Sequence, residues 1–301
     1  KINKKKLFVV HSWIGIKVSI LFFVVCFSGT LATLSNEIDW LLMPSIRAVP
    51  TEQYASINQM VANIEQAYPG AKFSYMMSAE APYLCHQAYI LENGNYLRYV
   101  FVNPYTAEVQ GDSTLTFYRF FRDLHYYLFI PFGFGHFTVL IFGFLLLISL
   151  ITALAFYKNW YRKLFELKRG AGKVVFYRSL HRLIGVCSVP FMILFSVTGI
   201  WYFLERTITG NISTIANGSS PEIELAGQDT VFKSQIAFFT DYDRAITAAK
   251  LAIPGLKVKD IRPPSENQPI YFTGKSEVAL VRNRATRVIV HPTTYEVLIV
   301  Q

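Results

Sequence analysis

Two histidines stand at the start of two similar motifs in this chain of 301 residues. The first motif reads HSWIG, from His11 to Gly15, and the second reads HRLIG, from His181 to Gly185. Each motif opens a long apolar run. Because four residues turn an α-helix by about 400°, each histidine and its glycine lie on nearly the same helix face. Glycine leaves that face free of bulk, so a flat ligand could lie beside the histidine.

A hydroxyl residue followed by glycine recurs later in both runs, as Ser28-Gly29 and Thr198-Gly199. The interval from histidine to this glycine is 18 residues in each copy, from 11 to 29 and from 181 to 199. Eighteen residues make about five turns of a continuous helix, so the pattern predicts that these glycines share the histidine face.

Four of the six histidines fall at predicted membrane edges, where such side chains are functional candidates. They are His11, His125, His136 and His181. The alternative for each is an interfacial histidine bonded to a backbone carbonyl, which a lone histidine favours, whereas the repeated motif favours a functional role for His11 and His181. Two neutral imidazoles from facing helices can ligate a haem iron from both sides, which is our interpretation of His11 and His181. Zinc is a weaker interpretation, because it needs three or four converging ligands. Arg182 could pair with a haem propionate or with a lipid headgroup.

His125 and His136 are eleven residues apart, and Pro131 and two glycines between them disfavour a continuous helix. We expect only one of these two histidines to ligate a given iron. The remaining histidines, His86 and His291, are predicted to be ordinary surface residues.

Hydrophobic residues make up 52% of the chain and charged residues only 16%, whereas soluble domains usually contain about 25% charged residues. Apolar runs at residues 7–34, 134–157 and 180–204 account for the difference. Each is long enough to cross a bilayer, for which about 20 residues suffice. The sequence therefore predicts an α-helical membrane protein in contact with lipid.

The net charge of +9 does not indicate a nucleic-acid partner, because lysines and arginines beside such runs set their orientation.

Four lysines lie among the first six residues, and a basic segment follows the second run. The positive-inside rule places both in the cytoplasm of a bacterial cell with the chain in its inner membrane. The first run lacks a cleavage site and is predicted to be a retained anchor. The predicted order is a membrane helix at 1–34, a periplasmic domain at 35–115, a periplasmic approach and second membrane helix at 116–157, a basic cytoplasmic loop at 158–179, a third membrane helix at 180–206 and a second periplasmic domain at 207–301.

Both outer segments have a small α+β pattern. Helices are predicted at 57–68 and 242–252, each followed by a Pro-Gly pair. Strands are predicted at 72–76, 86–92, 97–103, 257–262, 270–273, 278–282 and 286–290. YPGAKF matches IPGLKV, and VNPYTAEV matches VHPTTYEV. We interpret these matches as an internal duplication of a helix-plus-domain unit. The duplication also predicts a fourth membrane helix after the second domain, because one follows the first domain.

The motifs HSWIG, HRLIG and RDLHYYLFIPFGFG, together with the twin domains, resemble the PepSY-associated transmembrane proteins. Some members are di-haem inner-membrane reductases of iron taken up on siderophores. The resemblance implies four spans and two PepSY-like periplasmic domains. It places the inner haem ligands at His11 and His181 and an outer ligand at His125, whose partner would lie in the fourth span. At His136 the family often has arginine, so His136 could ligate iron or contact a propionate.

The first functional hypothesis is a haem-b reductase that carries electrons to siderophore-bound ferric iron or another periplasmic acceptor. Two haems are expected, because a hydrocarbon core of about 30 Å is too thick for one useful electron hop. No G-x-G-x-x-G fingerprint is present, so a quinol or a separate protein must donate the electrons. One alternative is a non-redox, membrane-anchored PepSY module that binds a peptide or protease. Another is a cytochrome that donates to a periplasmic protein.

Overall fold

The structure is a computed structural model that describes residues 3–92, 96–157, 166–170, 172–209, 240–265, 268–277 and 286–300. These residues form two compact units. The membrane unit contains the described residues of Lys1–Ser35 and Tyr118–Pro221. The sheet unit contains those of Asn36–Phe117 and Glu222–Gln301.

The helices, numbered along the chain, are α1 (Lys4–Thr33), α2 (Ser35–Leu42), α3 (Ile57–Ala67), α4 (Phe117–Tyr127), α5 (Phe132–Phe156), α6 (Lys173–Cys187), α7 (Val189–Leu204) and α8 (Tyr242–Ala252). The strands are β1 (Lys72–Met77), β2 (His86–Glu92), β3 (Tyr96–Val102), β4 (Val109–Ser113), β5 (Lys257–Arg262), β6 (Ile270–Lys275), β7 (Thr286–Val290) and β8 (Val297–Val300). A short 3₁₀ turn spans Pro44–Ile46, and a π-helical turn at Glu205–Thr209 follows α7.

Three helices in the described part of the chain are long and apolar enough to cross a membrane, which confirms the predicted number. They span Lys4–Thr33, Gly133–Phe156 and Val189–Ile208. Helix α5 packs against both α1 and α7. Where α5 meets α7, a Cβ on Gly143 would lie 3.2 Å from the Cα of Gly199. Small residues permit this close approach between membrane helices, so Gly199 is engaged in helix packing and not in an open ligand face.

The third apolar run differs from the prediction of one helix through residues 180–204. Helix α6 ends at Cys187, and α7 begins at Val189. Pro190 has no N–H to donate to the preceding turn. The Ser188 hydroxyl donates to the carbonyl of Ile184 at 2.8 Å, a type of bond that often bends helices. His181 lies before this one-residue interruption and Gly199 after it, so the 18-residue interval of the second copy does not lie within one continuous helix.

One antiparallel sheet runs through the sheet unit, in the order β4-β3-β2-β1-β5-β6-β7-β8. The sequence predicts two small domains, and the structure joins their strands along a seam between β1 and β5. The seam contains two residue pairs, Met76 with Ile261 and Met77 with Asp260. On each side of it, one helix precedes four strands in the chain. The predicted strand at 278–282 lies outside the described residues.

Helices α3 and α8 pack on one face of this sheet. Side chains alternate between the two faces along a strand, and in β6 the residues Ile270 and Phe272 are fully buried. They belong to a single core cluster with Met60 of α3 and Ala245 of α8. The two halves therefore share one hydrophobic core.

The N-termini of α3 and α8 cap each other. The Asp243 carboxylate in the first turn of α8 accepts hydrogen bonds from the N–H groups of Ile57 at 2.9 Å and Asn58 at 3.3 Å. In return, the Asn58 side chain accepts from the N–H of Tyr242 and donates to the carboxylate of Asp241, both at 2.7 Å. The bond from Asn58 holds the pKa of Asp241 below its usual value. These contacts satisfy N–H groups that a helix leaves unpaired in its first turn.

We expect Asp243→Ala to lower the free energy of unfolding of the sheet unit by about 2 kcal/mol, because it removes a helix cap and charge-assisted bonds between the halves. Amide hydrogen exchange of β1 and β5 in the full chain measures this change. Gln66→Ala, an exposed substitution on α3, should change it by less than about 0.5 kcal/mol. Equal protection in wild type and Asp243→Ala would show that the caps do not hold the halves together.

Candidate functional site

His11 of α1 and His181 of α6 lie side by side, with ring centroids 6.2 Å apart and ring planes inclined at 61°. Metal–nitrogen bonds of about 2 Å, with each ring centre about 1 Å beyond its nitrogen, would place two axial imidazoles about 6 Å apart. The separation of these two rings therefore suits imidazoles that share one metal ion. We call His11 and His181 the first histidine site.

The ring of His11 is held by a backbone carbonyl of α5. Its Nδ1 lies 3.0 Å from the carbonyl oxygen of Ser149, and the Ser149 hydroxyl is also 3.0 Å from this nitrogen. Because a carbonyl only accepts, Nδ1 carries the proton and Nε2 keeps a free lone pair. Metal-ligating histidines are commonly fixed in this way. Phe156 packs edge-on against the same ring at 5.7 Å.

The glycines nearest to the first histidine site border open space. A Cβ added to Gly15 or to Gly185 would meet no atom within 4 Å. The helix surface is therefore open at these two glycines, and the ligand face predicted there stays a prediction. Gly29, by contrast, lies under the ring of His125.

Arg182 forms hydrogen bonds with two residues that follow α5 in the chain. It donates from Nη2 to the carbonyl of Glu166 at 2.5 Å and from Nη1 to the hydroxyl of Tyr157 at 3.3 Å. Its Nε is buried and has no hydrogen-bond partner among the described residues. Guanidinium N–H groups bind carboxylates strongly. An acid group of a ligand, either a propionate or a lipid phosphate, would satisfy this buried nitrogen.

His125 of α4 packs against α1. Its Nδ1 lies 2.8 Å from the carbonyl oxygen of Val25, so Nε2 again keeps a free lone pair. A Cβ on Gly29 would lie 2.7 Å from Cε1 of His125, so any larger residue at position 29 would displace this ring. The orientation of His125 is that of a histidine ready to ligate a metal through Nε2.

His136 of α5 has the opposite tautomer. Its Nδ1 accepts a hydrogen bond from Nη1 of Arg206 at 2.7 Å, and because arginine cannot accept, Nε2 of the neutral ring carries the proton. Neither nitrogen then has a free lone pair. The rings of Tyr126 and Tyr127 pack on His136 at 6.0 and 5.7 Å. This arrangement favours His125 as the ligand and makes His136 a hydrogen-bond donor. His125 and His136 form the second histidine site.

The turn between α4 and α5 is strained. Leu128 and Phe129 have φ angles of 51° and 56°, a region that bulky residues rarely adopt. A Cβ on Gly135 would overlap the backbone of Tyr127 and Ile130, so the turn also requires that glycine. Strained backbone persists where the surrounding structure holds it, often at functional sites. Here it connects the two helices that carry the second histidine site.

We expect Gly29→Ala to displace the His125 ring, because the new methyl group would overlap it and separate it from the Val25 carbonyl. The lost hydrogen bond should cost about 1 kcal/mol. NMR of the chain labelled at histidine would report the displacement as a changed His125 ring resonance. The matched control is Gly15→Ala, where a methyl group meets no atom. Unchanged His125 resonances in Gly29→Ala would contradict the proposed contact.

His86 is buried, which corrects the prediction of a surface residue. It is 8% exposed, and its Nδ1 accepts a hydrogen bond from the N–H of Ala79 at 3.0 Å. Burial, with a smaller contribution from the charge of Lys259, lowers the pKa of His86 to about 4. His86 is therefore a neutral structural residue at pH 7. His291 is half-buried, and its Nδ1 accepts from the N–H of Thr294 at 3.1 Å within its own turn.

Three residues of these sites are not predicted from the sequence. Ser149 and Val25 act through backbone carbonyls, for which the residue type carries no signal. Arg206 is the first cation after the third apolar run, and that place could have indicated a partner for His136. Within the described ranges, no group of three or more His, Cys, Asp or Glu side chains could hold a metal ion. The zinc alternative therefore has no ligand set there.

A family model described as the PepSY-associated TM region matches residues 8–237. The match includes both histidine sites and the first half of the sheet unit. No curated protein matches the chain.

Proposed function

Because this chain belongs to the PepSY-associated TM family, we propose that it is a haem-b oxidoreductase of the bacterial inner membrane. It passes electrons to a periplasmic acceptor, and that acceptor is siderophore-bound ferric iron. One observation carries the proposal. The His11 and His181 rings lie 6.2 Å apart, and the Ser149 carbonyl leaves Nε2 of His11 free to bind iron.

In this proposal His11 and His181 hold the first haem, and His125 holds the second with His136 beside it. Bound haem supplies reversible one-electron chemistry at its iron. The carbonyls of Ser149 and Val25 keep the proton on Nδ1 of His11 and His125. Arg182 offers a buried N–H to an acid group near the first site. Arg206 keeps His136 a hydrogen-bond donor.

The electrons balance with a membrane quinol as donor. Each ferric ion takes one electron and becomes ferrous. One quinol gives up two electrons, releases two protons and so reduces two ferric ions. The alternative donor is a reduced protein. It would supply one electron for each ferric ion, and no quinol would be oxidised.

The proposal also treats the sheet unit as two fused PepSY domains that arose by duplication and face the periplasm. The strand order supports this, because α3 precedes β1–β4, α8 precedes β5–β8, and β1 and β5 meet at the centre. The caps also support it, because each of the two helices accepts a hydrogen bond from a backbone N–H in the first turn of the other. The four lysines among the first six residues, three of which form the N-terminal end of α1, support a cytoplasmic N-terminus.

Reduced-minus-oxidised spectroscopy with haem quantitation on the purified full chain tests the proposal. We expect a Soret band, the reduced bands of a b-type cytochrome, and reoxidation by chelated ferric iron. Colourless protein would overturn the redox assignment and leave a non-redox membrane module. Coloured protein that ferric chelates fail to reoxidise would overturn the acceptor.

A further inference from the structure

A cavity of about 1070 Å³ lies beside the seam of the sheet unit. Its walls come from α3 and the start of β1 in the first half, and from the end of β5, β6 and β7 in the second. Sites for small molecules typically have volumes of about 300–1,000 Å³. We call this space the seam cavity. The described lining residues include none of the four histidines of the two histidine sites.

The seam cavity exists because β1 and β5 pair over only two residues of each strand. At one end of this pairing, the N–H of Ser78 extends the contact by donating to the carbonyl of Lys259 at 2.8 Å. At the other end, β5 runs into Pro263 and Pro264, which have no N–H to donate. Both prolines line the cavity. The strands are therefore hydrogen-bonded at one end of the seam and remain apart at the other, where the prolines have no N–H to donate.

The lining is positively charged. Lys72, Arg262 and Arg287 contribute cations, and all three are exposed. In the part of the chain that the structure describes, none of them forms an ion pair. Glu65 is the single carboxylate among the described lining residues. A second carboxylate, that of Asp260, lies directly opposite Thr273 and accepts a hydrogen bond from its hydroxyl at 2.8 Å. Three cations therefore exceed two anions, and the excess charge attracts negatively charged ligands.

The register of the strands places the two arginines around β6. Arg262 of β5 is directly opposite Tyr271, and Arg287 of β7 is directly opposite Thr273. Tyr271 and Thr273 alternate with the buried Phe272, so these four side chains share the sheet face opposite to Phe272. Because α3 lines the cavity from the Phe272 face, the cavity extends through the open end of the seam and is lined from both faces of the sheet. With strands about 4.8 Å apart, the backbones of β5 and β7 are separated by about 10 Å. This spacing suits a ligand with several separated anionic groups better than a single small ion.

We propose that the seam cavity binds a small organic ligand that carries several carboxylate or phenolate groups. Arg262 and Arg287 bind its anionic groups, because a guanidinium donates two parallel hydrogen bonds to a carboxylate. Tyr271 lies between them and supplies a ring and a hydroxyl. Lys72 adds charge from the opposite wall. If the proposed function holds, this ligand is the chelator that carries ferric iron, and that identification rests on the proposed function.

Calorimetric titration of the full chain in neutral detergent with citrate tests the proposal. We expect saturable binding to one site that weakens as salt is added. Arg262→Gln and Arg287→Gln should each weaken binding about tenfold, as expected for loss of a hydrogen-bonded charge. Lys250→Gln, an exposed change on α8 outside the lining, should leave the affinity within about twofold. Both arginines are exposed, so unchanged unfolding temperatures should accompany these losses.

Absence of saturable citrate binding, or equal affinity in wild type and the Arg262→Glu/Arg287→Glu double variant, would overturn the proposal. A neutral sugar bound as tightly as citrate would also overturn it, because charge would then not select the ligand.

The titration needs no electron transfer, so its outcome is independent of the proposed redox function. Citrate binding by a protein without haem would leave the cavity assignment standing and remove the proposed function. Ferric citrate reduced equally fast by wild type and by a double variant that no longer binds citrate would show that the cavity is not the acceptor site.

Discussion

His11→Ala and His181→Ala should each remove the haem held between α1 and α6, and the double variant should lose no more than either single one. The reason is that both imidazoles lie 6.2 Å apart and would ligate the same iron. With a second haem held by His125 and its expected partner in the fourth span, each variant should retain about half of the wild-type haem. Adding His125→Ala should then give colourless protein. Haem quantitation per chain, with the reduced spectrum, measures these losses.

His291→Asn is the matched control, because His291 belongs to the sheet unit and its turn can be capped by asparagine. This variant should keep the full haem content. Additive losses from His11→Ala and His181→Ala would contradict a shared iron. An unchanged Soret band in either variant would remove that histidine from the ligand set.

Acidification from pH 7 to pH 4 should destabilise the sheet unit through His86 by about 3 kcal/mol. Its pKa falls from 6.5 to about 4 on folding, first because of burial and then because of Lys259. Between these two values the unfolded chain binds a proton at His86 and the folded chain does not. The stabilisation is therefore complete above pH 6.5 and is lost as the pH falls through about 4.

The measurement is the free energy of unfolding in urea at several pH values, for wild type and His86→Gln. Glutamine can still accept the hydrogen bond from the Ala79 N–H, but it does not titrate. The variant should therefore lose the part of the acid sensitivity that His86 contributes. Parallel pH profiles for the two proteins would show that the proton on His86 does not govern this loss.

Local signals predict individual elements of this fold well. Helix α8 and strands β2, β5 and β7 have the bounds that periodicity and turn residues predict. Three spans follow from the length of the apolar runs. The repeated motif predicts that His11 and His181 belong to one site, and their rings lie 6.2 Å apart. The element bounds and the spans depend on residues that are neighbours in the sequence, whereas the pairing of His11 with His181 is indicated by the repetition of their motif.

Contacts between distant residues that no repeated motif marks are not predicted. The seam between β1 and β5 consists of two residue pairs between distant segments, and no local pattern marks them. The burial of His86 depends on packing around β2, which a single histidine in a strand does not reveal. The break at Ser188 is different, because Pro190 is visible in the sequence. The prediction of one helix gives more weight to the length of the apolar run than to this proline, which disfavours a continuous helix.

The position of the seam has a consequence for how the protein is made. Strand β1 ends at Met77, while β5 begins at Lys257, and the ribosome produces α4 to α7 in between. Until the C-terminal strands emerge, β1 is an edge strand and the core residues of the first half lack their cover. Pairing between such distant segments forms slowly. The nascent chain is therefore most prone to aggregate in this interval, and a product that stops before β5 would keep that exposed edge permanently.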